Sequence, residues 1–191
     1  MYFSTLSIYF ILGGKVSNSS ITKQALANAF KELMLEKSFY KITINDICLK
    51  CHLNRKSFYY HFKDKYELLN WIFYSEFFST YKDSEKDIEK FFLELCTYLY
   101  NNRYFYRQAL VIEDYNNFKN CLQKNICTLV KNGLRRYFSN NEINEFDVIF
   151  MADGFVCSIE RWLMDSECIS PEKFVNRIFN FIKKLSQKLN H

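Results

Sequence analysis

"TINDICLKCHLNRKSFYYHFKDKYELL", residues 43–69, decides how this chain is read. Thr43-x-x-Asp46 has the form of a capping box with Asp in place of Glu, so it predicts a helix start. Ile44, Ile47, Cys48 and Cys51 follow at i, i+3, i+4 and i+7, which is one face of a helix. His52 falls where that helix must stop, and His is among the residues enriched at positive φ, so it can occupy the turn. Asn54 is placed to cap a short third helix, "RKSFYYHF". Lys65 then opens a fourth, with Leu68, Leu69, Ile72 and Phe73 inward. Short helices joined by a tight turn in this way form a helix-turn-helix.

The same stretch contains a competing signal. "CLKCH", residues 48–52, is C-x-x-C-H, the attachment motif of c-type haem. Both cysteines, however, share the stripe of Ile44 and Ile47, where free Cys behaves as a small hydrophobe. Apart from His52 and the terminal His191, His61 is the one histidine left to supply a distal ligand. Core cysteines are the favoured reading, with no cofactor and no metal. A haem-binding electron-transfer protein stands as the alternative.

Working outward, residues 21–37 predict an amphipathic helix with Leu26, Ala29, Phe30, Leu33 and Met34 inward and Ser20 as its cap, ended by "SFYK". Further helices are predicted over 84–101 (Ile88, Phe91, Phe92, Leu95 and Leu99 inward), 103–111, 116–138 and 144–166. The last of these carries Phe146, Ile149, Phe150, Val156, Leu163 and Met164. Ser170-Pro171 starts a final helix, with Pro at its first position. Its apolar stripe is Phe174, Ile178, Phe181, Ile182, Leu185 and Leu189. One Pro and four Gly in 191 residues, with 20 Phe and 14 Tyr, fit an all-α chain of long helices and short turns.

Charge is unevenly placed. Residues 1–75 hold ten Lys and Arg against five Asp and Glu, whereas residues 76–191 hold sixteen of each. A localised basic excess points to a polyanionic partner. Seven scattered cysteines, an odd number without framework spacing, read as buried thiols of a reducing, cytoplasmic setting. The apolar run at the N-terminus is about a dozen residues, short of the roughly 20 that span a membrane. Residues 1–15 are expected to be non-native, because codons for Gly13-Gly14 can spell a ribosome-binding site ahead of a GTG start at Val16. No P-loop, G-x-S-x-G or H-E-x-x-H occurs, and Glu32/Glu36 and Asp83/Glu85/Asp87/Glu89 read as solvated helix faces. The chain is expected not to be an enzyme.

Residues 43–69 resemble the DNA-binding domain of the TetR family of transcriptional regulators. That pattern runs T-x-x-x-I-A-x-x-A-G-V-S-x-x-T-x-Y-x-H-F-x-x-K-x-x-L, and Thr43, Ile47, Leu53, Ser57, Tyr59, His61, Phe62, Lys65 and Leu68 stand in register. The chain departs at Cys48 and Cys51 for Ala, His52 for Gly and Asn54 for Ser. "ITKQALANAFKELMLEKSFYKITINDI", "SFYYHFKDKYELLNWIF" and "ERWLMDSECISPEKFVNRI" are similar to the dihydroxyacetone-kinase-regulator-like subgroup, which extends the resemblance over most of residues 21–185.

The resemblance implies an all-α fold in three parts. These are an extension over 1–20, disordered or non-native, a three-helix helix-turn-helix DNA-binding domain over 21–66, and a helical regulatory and dimerisation domain over 67–191. It implies a cytoplasmic homodimeric regulator, in the family more commonly a repressor, reading a palindrome in double-stranded DNA. A small-molecule effector or a co-regulator protein would be its further partner, with no membrane. The third helix would lie in the major groove, with Arg55, Lys56, Tyr60 and, from the second helix, Asn45 on base edges. Thr43, Ser57, Tyr59, His61 and Lys65 would hold phosphates, while Phe58 and Phe62 belong to the core. Tyr98, Arg103, Tyr106, Phe118 and Trp162 are candidate lining for an effector pocket. Gly154, Phe174, Ile178 and Ile182 are candidates for the dimer interface.

Overall fold

The computed structural model describes residues 18–79, 87–114, 117–137 and 144–189, which form helices and turns with no strand among them. The chain divides after Leu68 into two compact units. In the first, α1 (Asn18–Glu36) buries Leu26, Ala29, Phe30, Leu33 and Met34, the five residues whose spacing predicts its inner face. It begins earlier than expected, so Ser20 lies inside the first turn instead of capping it, and residues 18–20 of the expected extension are helix. Residues 1–17 lie outside the described residues. A 3-10 turn at Phe39–Lys41 leads to α2 (Ile44–Lys50).

The expected capping box is formed. Asp46 N donates to Thr43 Oγ1 at 3.1 Å, and Thr43 N donates to Asp46 Oδ2 at 2.8 Å. Lys37 Nζ meets the same carboxylate at 2.8 Å. The lysine first, then the cap N–H, holds the Asp46 carboxyl down to about 2. At its far end α2 closes in a Schellman motif: Leu53 N donates to Cys48 O at 2.9 Å and His52 N to Leu49 O at 3.2 Å. The residue between, His52, has φ 57°, the left-handed value that this motif requires and that glycine usually supplies. α3 (Arg55–His61) starts at once, with Asn54 Oδ1 accepting from Ser57 N at 2.8 Å. Phe58 and Phe62, 0% and 2% exposed, anchor its inner side. α4 (Lys65–Phe73) is followed by a π-helical turn at Tyr74–Phe78, and Leu68, Leu69, Ile72 and Phe73 are all buried as expected.

The second unit contains α5 (Ile88–Asn101), α6 (Arg103–Leu110), α7 (Phe118–Tyr137), α8 (Glu145–Met164) and α9 (Pro171–Leu189). Asp87, expected on a solvated face, is the α5 cap and accepts from Glu89 N and Lys90 N. Asp83, Glu85 and the expected first turn of that helix lie outside the described residues. α7 packs along α8, and α5 along α9. Phe92 of α5 stacks on Phe155 of α8 with centroids 4.2 Å apart, and Phe179 of α9 meets Phe92 edge-on at 5.7 Å. A Cβ on Gly133 would overlap Ile88 Cδ1, so α7 and α5 meet where α7 has no side chain. Arg107 closes α8, its Nε donating to Leu163 O at 2.6 Å and its Nη2 to Asp165 O at 2.8 Å.

The buried faces of α8 and α9 take up only part of their apolar residues. α8 buries Val148, Ala152, Phe155, Val156, Ile159, Trp162 and Leu163. Phe146, Ile149, Phe150 and Met164 are 72%, 40%, 66% and 45% exposed. On α9 the buried stripe is Val175, Phe179, Ile182 and Ser186, while Phe181 and Leu185 are 67% and 42% exposed. Both helices are apolar on more than one side. The side chain of Leu189 lies outside the described set.

His52→Gly removes the penalty of a side chain at positive φ and should stabilise the protein by about 0.5–1 kcal/mol. Chemical denaturation measures this. A lower midpoint in the variant would show that the imidazole makes a contact worth more than the strain.

Candidate nucleic-acid interface

α3 is two-sided by construction. Phe58 and Phe62 pack inward with centroids 5.9 Å apart. Arg55, Lys56, Tyr59 and Tyr60, at i, i+1, i+4 and i+5, therefore share the outward side. Tyr59 and Tyr60 are 50% and 83% exposed, and both cations are exposed too. Arg55 Nη2 donates to Tyr59 Oη at 3.3 Å, with Cζ 5.8 Å from the ring centroid. Lys56 has no hydrogen-bond or ion-pair partner among the described residues. Asn45 is exposed on the first turn of α2. The major groove of B-DNA is wide enough for such a helix, and Arg can engage guanine O6 and N7 together.

The residues expected on phosphates divide into two groups. Thr43 is exposed, and its oxygen already accepts the α2 cap bond, which leaves its hydroxyl proton to give. Tyr59 Oη, having accepted from Arg55, likewise keeps its proton. His61 is half-buried with its ring edge-on to Tyr60 at 4.8 Å. Burial, then the charge of Lys23, lowers its pKa below the ordinary imidazole value, so the free protein carries it neutral at neutral pH. Ser57 turns back instead, its Oγ donating to Asn54 Oδ1 at 3.1 Å.

Lys65, expected on a phosphate, has two of its three donors engaged within the protein. Its Nζ donates to Phe39 O and to Ile42 O, both at 2.8 Å, and lies 4.3 Å from the Phe39 ring centroid. Two carbonyls of the 3-10 turn have no other donor as close, so the ammonium serves the fold. The basic excess is further reduced by internal pairing. Lys50 Nζ lies 2.6 Å from Glu36 and 3.3 Å from Glu32, so this acidic pair, expected as a plain solvated face, ties α1 to α2. Sequence reasoning missed these pairs because they join residues far apart along the chain.

The haem reading fails on the thiols. Cys48 is 2% exposed, and Cys51 Sγ lies 3.1 Å from Ile47 O, to which it donates. Burial raises both thiol pKa values, and both side chains belong to the inner side of α2. Neither is presented to a cofactor.

Three of the five residues expected to line an effector pocket lie in the core. Tyr106, Phe118 and Trp162 are 1%, 0% and 6% exposed and fill the core. Tyr98 and Tyr106 share a 2.8 Å hydroxyl bond, and Tyr98 Oη donates to Glu76 at 3.0 Å. Trp162 stacks on Phe174 at 4.5 Å and donates to Ile169 O at 2.8 Å. Arg103 lies against the rings of Tyr100 and Tyr104. An open groove of about 610 Å³ lies between α7 and α8, lined by Lys124, Cys127, Lys131 and Glu145 among others, and by none of the five.

Of the expected interface residues, Ile182 is buried within its own chain, and Phe174 is taken up by Trp162. Ile178 is half-buried. Gly154 faces outward, and a Cβ there would meet nothing within 4 Å, so no helix among the described residues crosses it. The exposed large apolar residues of α8 and α9 are Phe146, Ile149, Phe150, Met164, Phe181 and Leu185, with Phe146 stacked on Phe150 at 6.2 Å.

A capped helix, a Schellman turn and a basic-aromatic helix pinned by two phenylalanines define a helix-turn-helix transcriptional regulator. Residues 25–72 match the family described as bacterial regulatory proteins, tetR family, and residues 86–184 match the family described as transcriptional regulator C-terminal region. The chain belongs to the tetR family. It is 32% identical over 110 residues to the HTH-type dhaKLM operon transcriptional activator DhaS of Lactococcus lactis subsp. lactis (strain IL1403). That match covers 56% of this chain and 57% of the relative, so the chain spans little more than half of the curated protein it matches. Among solved structures, a dihydroxyacetone kinase operon activator DhaS is similar at 23% identity and TM-score 0.64, covering 87% of this chain and 97% of that one. A TetR transcriptional regulator from Streptococcus agalactiae 2603V is similar at 23% identity and TM-score 0.69, covering 86% and 94%. At that identity the two structures show the shared fold. No helix among the described residues is long and apolar enough to cross a membrane.

Lys65→Ala leaves Ile42 O without this donor and Phe39 O with the longer bond from Ile42 N at 3.1 Å, and should destabilise the protein by about 1–3 kcal/mol, read by denaturant unfolding. Unchanged stability would return the ammonium to the list of phosphate contacts. If His61 meets a phosphate, the anion raises the imidazole pKa, and binding takes up a proton. Affinity for DNA should then strengthen as pH falls through the range between the bound and free values, and level off below the free value. His61→Asn should flatten that profile, and an unchanged pH dependence in the variant would place His61 away from the backbone.

Proposed function

We propose that this chain is a sequence-specific transcriptional regulator that binds a palindromic operator as a homodimer, with α3 in the major groove. The observation that carries the reading is the two-sided α3. Arg55, Lys56, Tyr59 and Tyr60 point outward from a helix fixed by Phe58 and Phe62. Thr43, Tyr59 and His61 are the backbone contacts of this reading, and Asn45 a further base contact. The outward apolar residues of α8 and α9 support self-association, because such side chains exposed together mark interaction surfaces.

The sign of regulation and its control belong to the same proposal. DhaS is named an activator, and that likeness supports activation of a dihydroxyacetone-kinase operon, set against the repression more common in the family. A promoter fusion separates the two, since deleting the gene lowers expression from the target if it activates and raises it if it represses. A small-molecule effector or a co-regulator protein would set the response.

Selection of random duplexes by the purified protein at near-physiological salt tests DNA reading directly. The expected result is a palindrome with half-sites one or more helical turns apart, about 34–36 Å per turn. Binding to every duplex alike would refute the sequence reader. Phe150→Glu together with Phe181→Glu should convert dimer to monomer in sedimentation and weaken binding to the selected operator. A variant that remains dimeric would move the interface elsewhere.

A further inference from the structure

We propose that Tyr59 is a positioning residue for base recognition, its hydroxyl accepting from Arg55 on one side while giving its own proton to a DNA phosphate on the other. This rests on the reading of α3 as the recognition helix. Arg55 and Tyr59 are four residues apart and lie one above the other on the helix surface. The guanidinium Nη2 is 3.3 Å from Tyr59 Oη, and its Cζ is 5.8 Å from the ring centroid. The ring is itself held, since it meets the fully buried Phe58 edge-on with centroids 5.6 Å apart and planes at 83°. Placement therefore passes from the core to Phe58, to Tyr59, and then to a side chain that would otherwise sample many rotamers.

The hydrogen-bond inventory allows both roles at once. A phenol has one proton to give and can still accept. A guanidinium has five N–H donors, so one bond to Tyr59 leaves enough for the paired contact with guanine O6 and N7. The DNA that fits is a duplex with a guanine in each half-site where Arg55 reads. A phosphate beside it lies within reach of Tyr59. Register on the backbone and reading of that guanine are then joined through one oxygen, which a plain phosphate contact would not do.

The test uses the full chain and the operator it selects. The position read by Arg55 is the one where Arg55→Ala loses its preference. Affinities are then measured for four duplexes that differ at that base, with the parent, Tyr59→Phe, Arg55→Ala and the double variant. Tyr59 is half exposed, so Phe is accommodated without disturbing the helix. Tyr59→Phe should reduce the preference for guanine roughly tenfold, on the order of what a bidentate Arg–guanine pair supplies. It should also weaken all four duplexes. With Arg55→Ala in place, adding Tyr59→Phe should weaken all four equally, with no further change in preference. Uniform weakening by Tyr59→Phe in the parent, with the guanine preference intact, would overturn the proposal and leave Tyr59 a simple phosphate contact. A parent that distinguishes no base in any duplex would instead bring down the reading of α3, and that failure shows before any variant is made.

Discussion

Two backbone hydrogen bonds, from His52 to Leu49 and from Leu53 to Cys48, set the angle at which α3 leaves α2. Every side chain offered to DNA inherits its direction from that turn, because only two residues separate it from Arg55. Phe58 and Phe62 then fix the rotation of α3 about its own axis. A recognition helix of seven residues has little stability of its own, since isolated helices of that length do not persist in water. Its geometry is borrowed from the turn before it and the core beneath it.

Charge in the DNA-reading unit serves two ends that formal counting does not separate. Lys37 neutralises Asp46 at the α2 cap, Lys50 bridges to Glu36 and Glu32 of α1, and Lys65 fastens the 3-10 turn. Exposed pairs of the first two kinds are screened by solvent and add little to stability. The Lys65 ammonium is more deeply placed and satisfies two carbonyls, so it matters more. What remains outward on α3 is Arg55 and Lys56, interleaved with two tyrosines.

Features written in local sequence were legible. Thr43, Asp46, Asn54 and Ser170 mark caps through spacing alone, and the inward residues of α1 and α4 follow from helical period. His52 at the turn could be read from the conformational tolerance of its residue type. Lys65 was not legible as an internal cation, because its partners are carbonyls some twenty residues upstream, and carbonyls leave no trace in sequence. The buried faces of α8 and α9 were not legible for a different reason. A helix apolar on two sides does not say which side meets its own chain. The same ambiguity holds for the residues expected at an effector pocket, since aromatic side chains that fill a core and those that line a chamber are the same residues.

The internal use of lysines bears on how this protein would hold a polyanion. Binding to duplex DNA draws on the release of condensed counterions, about one for each phosphate neutralised by an outward cation. Lys37, Lys50 and Lys65, three of the ten cations of the first 75 residues, are turned to protein acceptors, which lowers the counterion release that a formal charge count suggests. If α3 meets duplex DNA as proposed, the salt dependence of binding would then be shallower than ten cations imply.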